Sequence, residues 1–308
     1  MSKNLNNATY RAFCEIIARD TGVQLGDDKL DFLSSRLSPR ANALGLESLE
    51  EYLAHVTGPQ GSREKQAFLH AVTTHHTFFF REEQHLDTVA EHIARLLEGG
   101  QRRIRVWSAA CSSGEEPYSL MMRLGERLGE DRLKQSDFKL LGTDISRKVL
   151  GQARRGSYAT NRLVGVSRER LAQHFQPVTG AQGSLEVLPW MRHYVSFKPL
   201  NLADETYPFH GPFDAILCRN VMIYFDEELR QQLLRRLTRM LSPGGLLVIG
   251  MSESVQGIQR ELDYVEPAVY AQRGASQAAR KAPSEALATI EVQDTPPFEQ
   301  PVLQEAQA

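Results

Sequence analysis

The stretch Val106-Trp-Ser-Ala-Ala-Cys-Ser-Ser-Gly-Glu-Glu-Pro-Tyr-Ser-Leu120 constrains the fold more than any other part of the chain. An apolar strand runs into small residues, turns at Gly114 and enters a helix. That is how an open α/β sheet holds a nucleotide-like cofactor at the carboxyl end of a strand. The turn carries one glycine, not the G-x-G-x-x-G of a dinucleotide site. Glu115 and Glu116 stand where a pyrophosphate needs a helix N-terminus free of negative charge. A cationic adenosine compound without phosphates suits the turn better. S-adenosyl-L-methionine, with its sulfonium and ammonium groups, has that chemistry. Taken alone, the two acids also read as complements of a helix macrodipole.

The rest of the chain supplies the setting. Apolar spacing predicts helices through residues 8–74: Tyr10, Phe13, Ile16 and Ile17, then Leu30, Leu33 and Leu37, then Leu46, Leu49, Tyr52 and Leu53 with Ser48 as N-cap, and a fourth around 67–72. A linker helix is expected over 82–97, stopped by Gly99-Gly100. Strands at 104–108, 138–144, 213–218 and 246–249 alternate with helices at 118–128, 149–154 and 227–241, which implies a mostly parallel, doubly wound sheet. Ser242-Pro-Gly-Gly245 reads as a turn, and 264–271 as a closing hairpin. The segment 156–194 is too long for an ordinary α/β connection of about 2–6 residues. It reads as an inserted subdomain, for partner recognition or as plain decoration. The expected division is 1–80 helical, 81–273 cofactor-binding and catalytic, and 274–308 a disordered tail rich in Ala, Gln, Pro and Glu.

At 308 residues with a net charge of −2, the chain has room for two domains and no global signal for nucleic acid. Cys14, Cys111 and Cys218 form no CxxC pair, consistent with a reducing, cytoplasmic setting. No apolar run is long enough to span a bilayer, and a monomer is expected.

Four elements converge at the carboxyl ends of the strands of such a sheet. They are the turn 109–114, Asp144, Asn201, and Cys218-Arg-Asn-Val-Met-Ile-Tyr-Phe225. Asp144 suits two ribose hydroxyls, or caps the helix that follows. Asn201 suits an adenine edge, or a turn. A fifth element, Thr73-Thr-His-His-Thr-Phe-Phe-Phe-Arg-Glu82, reads as a domain junction in which at least two of the rings are buried and Arg81 is placed to orient a carboxylate. His75 and His76 are adjacent, share no helix face and lack a ligand cluster, so no metal is expected.

On these segments the chain resembles the chemotaxis receptor glutamate O-methyltransferases, the CheR family. The likeness extends over Thr73–Glu82, Ala109–Leu120, Leu141–Ser146, Asn201-Leu202 and Arg219–Phe225, and to Phe32–Arg40 in the helical part. It implies S-adenosyl-L-methionine as cofactor and S-adenosyl-L-homocysteine as product. It implies a cofactor site of His75, Thr77, Arg81, Glu115, Asp144, Asn201, Leu202, Arg219 and Asn220. His75 stands where the family usually has Asn. Tyr224 matches the tyrosine beside the transferred methyl, and 156–194 the family's small β-subdomain, which in some members binds a peptide at the receptor's C-terminus. The implied reaction methylates glutamate carboxylates on cytoplasmic chemoreceptor helices. A carboxylate with an ordinary pKa near ~4.3 is already ionised and needs no general base. Arg81 and Tyr224 are the catalytic candidates. Arg36 and Arg40, one turn apart, are expected to meet receptor acids or to form a solvated face. The competing reading is a methyltransferase of another protein, a nucleic acid or a small molecule; no Asn-Pro-Pro-Tyr/Phe motif of amino-group methylation is present.

Overall fold

The computed structural model describes residues 5–273; the tail expected over 274–308 lies outside the described residues. The chain begins with four helices: α1 (Asn7–Thr21), α2 (Leu30–Ala43), α3 (Leu49–Thr57) and α4 (Gly61–Val72). They enclose a core of their own in which the rings of Phe13, Tyr52 and Phe68 lie 6.1–6.4 Å apart. Ser48 caps α3, its hydroxyl accepting the Glu51 N–H at 3.1 Å. Glu64 is buried in this core and needs a counter-charge. Arg40 supplies it through two hydrogen bonds of 2.8 Å, and the Tyr52 hydroxyl donates a third at 2.9 Å. Arg40 is therefore a structural partner rather than half of an outward-facing pair, which corrects its placement beside Arg36. Arg36 is exposed and lies over the Phe32 ring.

Next come α5 (Glu83–Glu98), β1 (Arg103–Ala109), α6 (Glu115–Leu128), α7 (Glu130–Lys134), β2 (Asp137–Asp144) and α8 (Arg147–Arg155). The insert contains β3 (Ser157–Ala159), α9 (Arg168–His174), β4 (Phe175–Pro177), β5 (Ser184–Val187) and α10 (Pro189–Tyr194). The chain then returns through β6 (Val195–Pro199), β7 (Phe213–Cys218), α11 (Glu227–Arg239), β8 (Leu241–Ile249), β9 (Leu262–Glu266) and β10 (Val269–Gln272).

Seven strands form one sheet in the order β6-β2-β1-β7-β8-β10-β9. The first five are parallel, and the hairpin β9–β10 closes the edge antiparallel to β8. Both faces are covered, so alternate residues of each central strand enter different cores. Val106, Leu217 and Val248 pack with α5, α6 and α8, whereas Trp107, Ile216 and Leu247 pack with α11. This two-sided burial explains why the strands read as continuous apolar runs. The order reverses between β1 and β7, which places the crevice of the sheet there.

Several boundaries differ from expectation. Helix α6 starts at Glu115 rather than Tyr118, because Gly114, at φ 94°, lets the chain turn straight from the loop into the helix. Strand β8 begins at Leu241, with a register shift and Gly244 at φ 79° absorbing the residues read as a free turn. The short α7 and α10 and strand β6 carry too little periodicity to be read beforehand. The insert forms a three-stranded antiparallel sheet, β3-β5-β4. Two of the three successive phenylalanines are buried, as expected, but against the insert. Phe79 packs edge-on to Tyr158 and Phe175, Phe80 lies under Arg170, and Phe78 is exposed.

Candidate functional site

A cavity of about 460 Å³ opens at the carboxyl ends of β1, β2, β6 and β7. The helical domain forms its other wall. Gln24 donates its N–H to the Tyr224 carbonyl at 2.7 Å, Val23 bridges to Phe225, and His70 meets Ser146 at 2.9 Å. Among the residues expected at a cofactor site, His75, Thr77, Arg81, Asp144, Asn201, Leu202, Arg219 and Asn220 all line this cavity, as does Tyr224.

Glu115 does not. Its side chain is fully buried on the far side of the turn, where it accepts hydrogen bonds from Ser113 (2.7 Å) and from Arg162 of the insert. Glu116 takes the cavity position, holding the Ser108 hydroxyl at 2.6 Å and Arg219 at 2.8 Å. Neighbours on a helix point about 100° apart, so one of two adjacent acids can face a given cleft while the other turns away. The acid that lines the cavity is thus Glu116 and not the expected Glu115. Burial pushes the Glu116 carboxyl up, against the opposing pull of Arg219.

The turn itself is strained. Ala110 (φ 62°) and Ser112 (φ 50°) adopt left-handed backbone without being glycine, at a cost of about 1–3 kcal/mol each. Neighbouring contacts hold it in place. Asp144 accepts the Ser112 N–H at 3.0 Å with one carboxylate oxygen and the Ser146 N–H at 2.9 Å with the other. Asp144 therefore braces two loops; the N-cap residue of α8 is Ser146, whose N–H Asp144 holds and whose own side chain makes no cap hydrogen bond among the described residues. Burial raises its pKa to about 6 despite these bonds. The Ser112 hydroxyl also donates to the His75 carbonyl at 3.1 Å.

His75 lines the cavity, but its ring is committed elsewhere: it stacks on His70 at 4.8 Å, with Nε2 2.8 Å from the Thr73 hydroxyl. Burial lowers the pKa of both rings to about 4, so both are neutral at pH 7. The Asn201 amide is likewise engaged, donating to the Asp20 carbonyl at 3.0 Å and accepting the Ala203 N–H at 3.1 Å. It is a turn residue that ties α1 to the sheet as well as a cavity residue.

The two arginines differ. Arg219 is nearly buried and bonded to Glu116, to Glu82 (3.1 Å) and to the Arg81 carbonyl. Burial raises the Glu82 carboxyl, yet Arg219 and Asn220 outweigh it and hold the group low. Arg81 donates only to the His76 carbonyl at 3.1 Å, and no carboxylate pairs with it among the described residues. Beneath the loop that carries Arg219, Asn220 and Tyr224 lies Glu253. Its carboxylate accepts N–H bonds from Asn220 (2.9 Å), Val221 (3.0 Å), Met222 (2.8 Å) and Gly250 (2.6 Å). Glu253, Glu82 and Arg162 were not found from the sequence. Each acts through tertiary contacts with no local pattern, although the Glu82 position beside Arg81 was within the junction already singled out.

The description "CheR methyltransferase, SAM binding domain" fits residues 75–271, and "CheR methyltransferase, all-alpha domain" fits residues 8–73. The chain belongs to the CheR methyltransferase family. It is 41% identical over 268 residues to a chemotaxis protein methyltransferase of Salmonella typhimurium, covering 87% of this chain and 91% of the relative. It is 40% identical to that of Escherichia coli over the same shares, and 34% identical to that of Borreliella burgdorferi, covering 87% and 95%. S-adenosyl-L-methionine is accordingly the cofactor, and the donor set fits it. The cavity lies at the switch point, lies within the usual ligand-pocket range of roughly 300–1,000 Å³, and presents carboxylates where a phosphate cofactor would need cations. No helix among the described residues is long and apolar enough to cross a membrane.

Proposed function

We propose that the chain methylates the side-chain carboxylates of specific glutamates on the cytoplasmic helices of chemoreceptors, leaving S-adenosyl-L-homocysteine. The observation that carries this reading is Arg81: a guanidinium at the cavity, next to the acids that suit the cofactor and itself unpaired with any carboxylate of the described chain. Glu116 and Asp144 would hold the cofactor's ammonium and ribose. Asn220 and Arg219 would complete the wall, with Glu253 and Glu82 fixing them. Bound S-adenosyl-L-methionine supplies a methyl group on a sulfonium. Arg81 orients the incoming carboxylate without clamping it, and Tyr224 shapes the path to the methyl group.

The carboxylate arrives ionised, so no base is required, and the cavity residues that titrate agree with that. Asp144 is engaged by backbone N–H groups, and His75 is turned to His70. Burial pushes the Cys111 thiol well above its usual value, so this cavity residue stays protonated and does not compete for the methyl group. The enzyme's contribution is alignment and exclusion of water, worth up to ~7–11 kcal/mol when orientation is good.

The reading includes a cytoplasmic, monomeric enzyme. It divides the chain at residues 80 and 81, with the tail beginning at 274, and assigns residues 156–194 to contact with a receptor C-terminal peptide. Mass spectrometry of receptor fragments incubated with enzyme and cofactor tests it. Glutamyl methyl esters that release methanol in mild base are expected. Label found only in base-stable products would refute carboxylate methylation.

A further inference from the structure

The cofactor turn has two sides, and only one faces the cavity. Ala110, Cys111, Ser112 and Glu116 line the cavity, whereas Ser113, Gly114 and Glu115 are buried behind them. The hidden side is built on the insert. The Tyr158 hydroxyl donates to the Ser113 carbonyl at 2.8 Å. Arg162 donates to the Ser113 hydroxyl at 3.0 Å and pairs with Glu115, whose other side-chain donor among the described residues is Ser113 itself. Gly114 fits against Ala153 and the Tyr158 hydroxyl so closely that a Cβ would meet them at 2.9 and 3.1 Å.

We propose that Arg162 is a positioning residue for the cofactor. By neutralising the buried Glu115 carboxylate it holds the strained turn, and with it Ser112 and Glu116, in the conformation that binds S-adenosyl-L-methionine. A buried carboxylate is costly when its partner is removed. Without Arg162, Glu115 is left with the Ser113 hydroxyl, and a shift of Glu115 toward solvent moves a residue adjacent to the acid that faces the cavity. The insert is thereby part of the cofactor site although none of its residues lines the cavity. The inference rests on the cofactor reading of the cavity and not on any receptor peptide.

Calorimetry with S-adenosyl-L-homocysteine and S-adenosyl-L-methionine on the full chain tests it, using Arg162→Met, Glu115→Gln and the double variant. Arg162→Met is expected to weaken binding tenfold or more, with kcat at saturating cofactor changed less than threefold. Glu115→Gln keeps one acceptor oxygen for Arg162, its amide N–H can donate to the Ser113 hydroxyl in place of the bond it received, and it is expected to stay within threefold of the parent. The double variant has no buried charge to satisfy and should recover to within threefold. Loss of a merely structural contact would not be rescued in this way. Unchanged affinity in Arg162→Met, or a double variant as weak as Arg162→Met, overturns the proposal. Should Arg162→Met fail to fold, Arg162→Gln takes its place: it keeps a donor for Ser113 and Glu115 but not the charge, so a loss of at least threefold that Glu115→Gln in the same chain restores is expected, and unchanged affinity overturns the idea. If instead the parent itself binds neither ligand, the cofactor reading fails, an outcome distinct from all of these.

Discussion

Replacing Glu116 by Gln removes one negative charge from the cavity wall and changes little else. The side chain keeps its length, and its amide oxygen can still accept from Ser108, now 2.6 Å away, or from Arg219, now 2.8 Å away. On the proposed contact, what is lost is the ionic part of a hydrogen bond to the cofactor's ammonium group. Hydrogen bonds to charged groups contribute about 1.5–3 kcal/mol, and 1.4 kcal/mol is a factor of ten. The dissociation constant should therefore rise roughly ten- to a hundredfold. Arg219 retains Glu82 at 3.1 Å, so the loop beside it stays in place and the melting temperature should move little. Calorimetry with S-adenosyl-L-homocysteine reads the effect directly, because the product keeps the ammonium group and involves no turnover. Glu115→Gln is the control, with a change under threefold. If Glu116→Gln binds as tightly as the parent while Glu115→Gln loses most of its affinity, the cavity has been assigned the wrong acid.

Four further outcomes follow from the same contacts. Asp144 has its pKa raised to about 6 by burial, and its ionised form accepts from both ribose hydroxyls whereas the protonated acid turns one oxygen into a donor, so cofactor affinity should be level well above pH 6 and decline as the pH falls through it; a titration flat through that window rules out the ribose role. His70 and His75 are held near 4 in the folded chain against 6.5 unfolded, so the unfolded state binds more protons between these values and stability falls as the pH drops from 6.5 to 4. Asp144 and Glu116, both raised by burial, oppose this with the other sign, but burial lowers His85, His92 and His174 as well as the stacked pair, and urea midpoints across that range should decrease on acidification. Arg40→Met leaves Glu64 buried with Tyr52 alone; since Arg40 is itself a third exposed, about 2–3 kcal/mol of stability should be lost, less than the full cost of breaking a buried pair, whereas Arg36→Met should stay within about 0.5 kcal/mol. Arg81→Met should lower kcat/KM for a receptor fragment by roughly tenfold or more with cofactor affinity affected less, and unchanged turnover would remove Arg81 from the orienting role.

The legible parts of the fold are those in which local chemistry repeats. The central strands declared themselves because a sheet buried on both faces needs unbroken apolar runs, as in Phe213–Cys218. The helical domain was visible through spacing and through Ser48 as a cap. Strand β6 was missed because Val-Ser-Phe-Lys-Pro alternates weakly and its neighbours are short helices. Arg40 was misplaced because spacing along a helix says which residues share a face, not what waits opposite. The buried Glu64 comes from another helix 24 residues away. Glu253 is invisible for the same reason: a carboxylate that organises four backbone N–H groups leaves no spacing in the sequence to read.

The pair Glu115-Glu116 shows where sequence reasoning about a site reaches its end. Composition established that the turn carries negative charge, and that was enough to exclude a phosphate cofactor. Choosing between adjacent acids needs the helix phase, and the phase is set by where the helix starts. With α6 beginning at Glu115, directly after a left-handed Gly114, Glu115 points to the insert and Glu116 to the cavity. Had the helix begun three residues later, as apolar spacing suggested, neither orientation would have been fixed. Arg162 supports the phase from outside, since a fully buried carboxylate with few other donors is favoured on the side where a cation meets it. The second acid is then left with Ser108, Arg219 and the cavity. A site that looks like one charged turn is two half-sites back to back, and each acid's position depends on its own arginine.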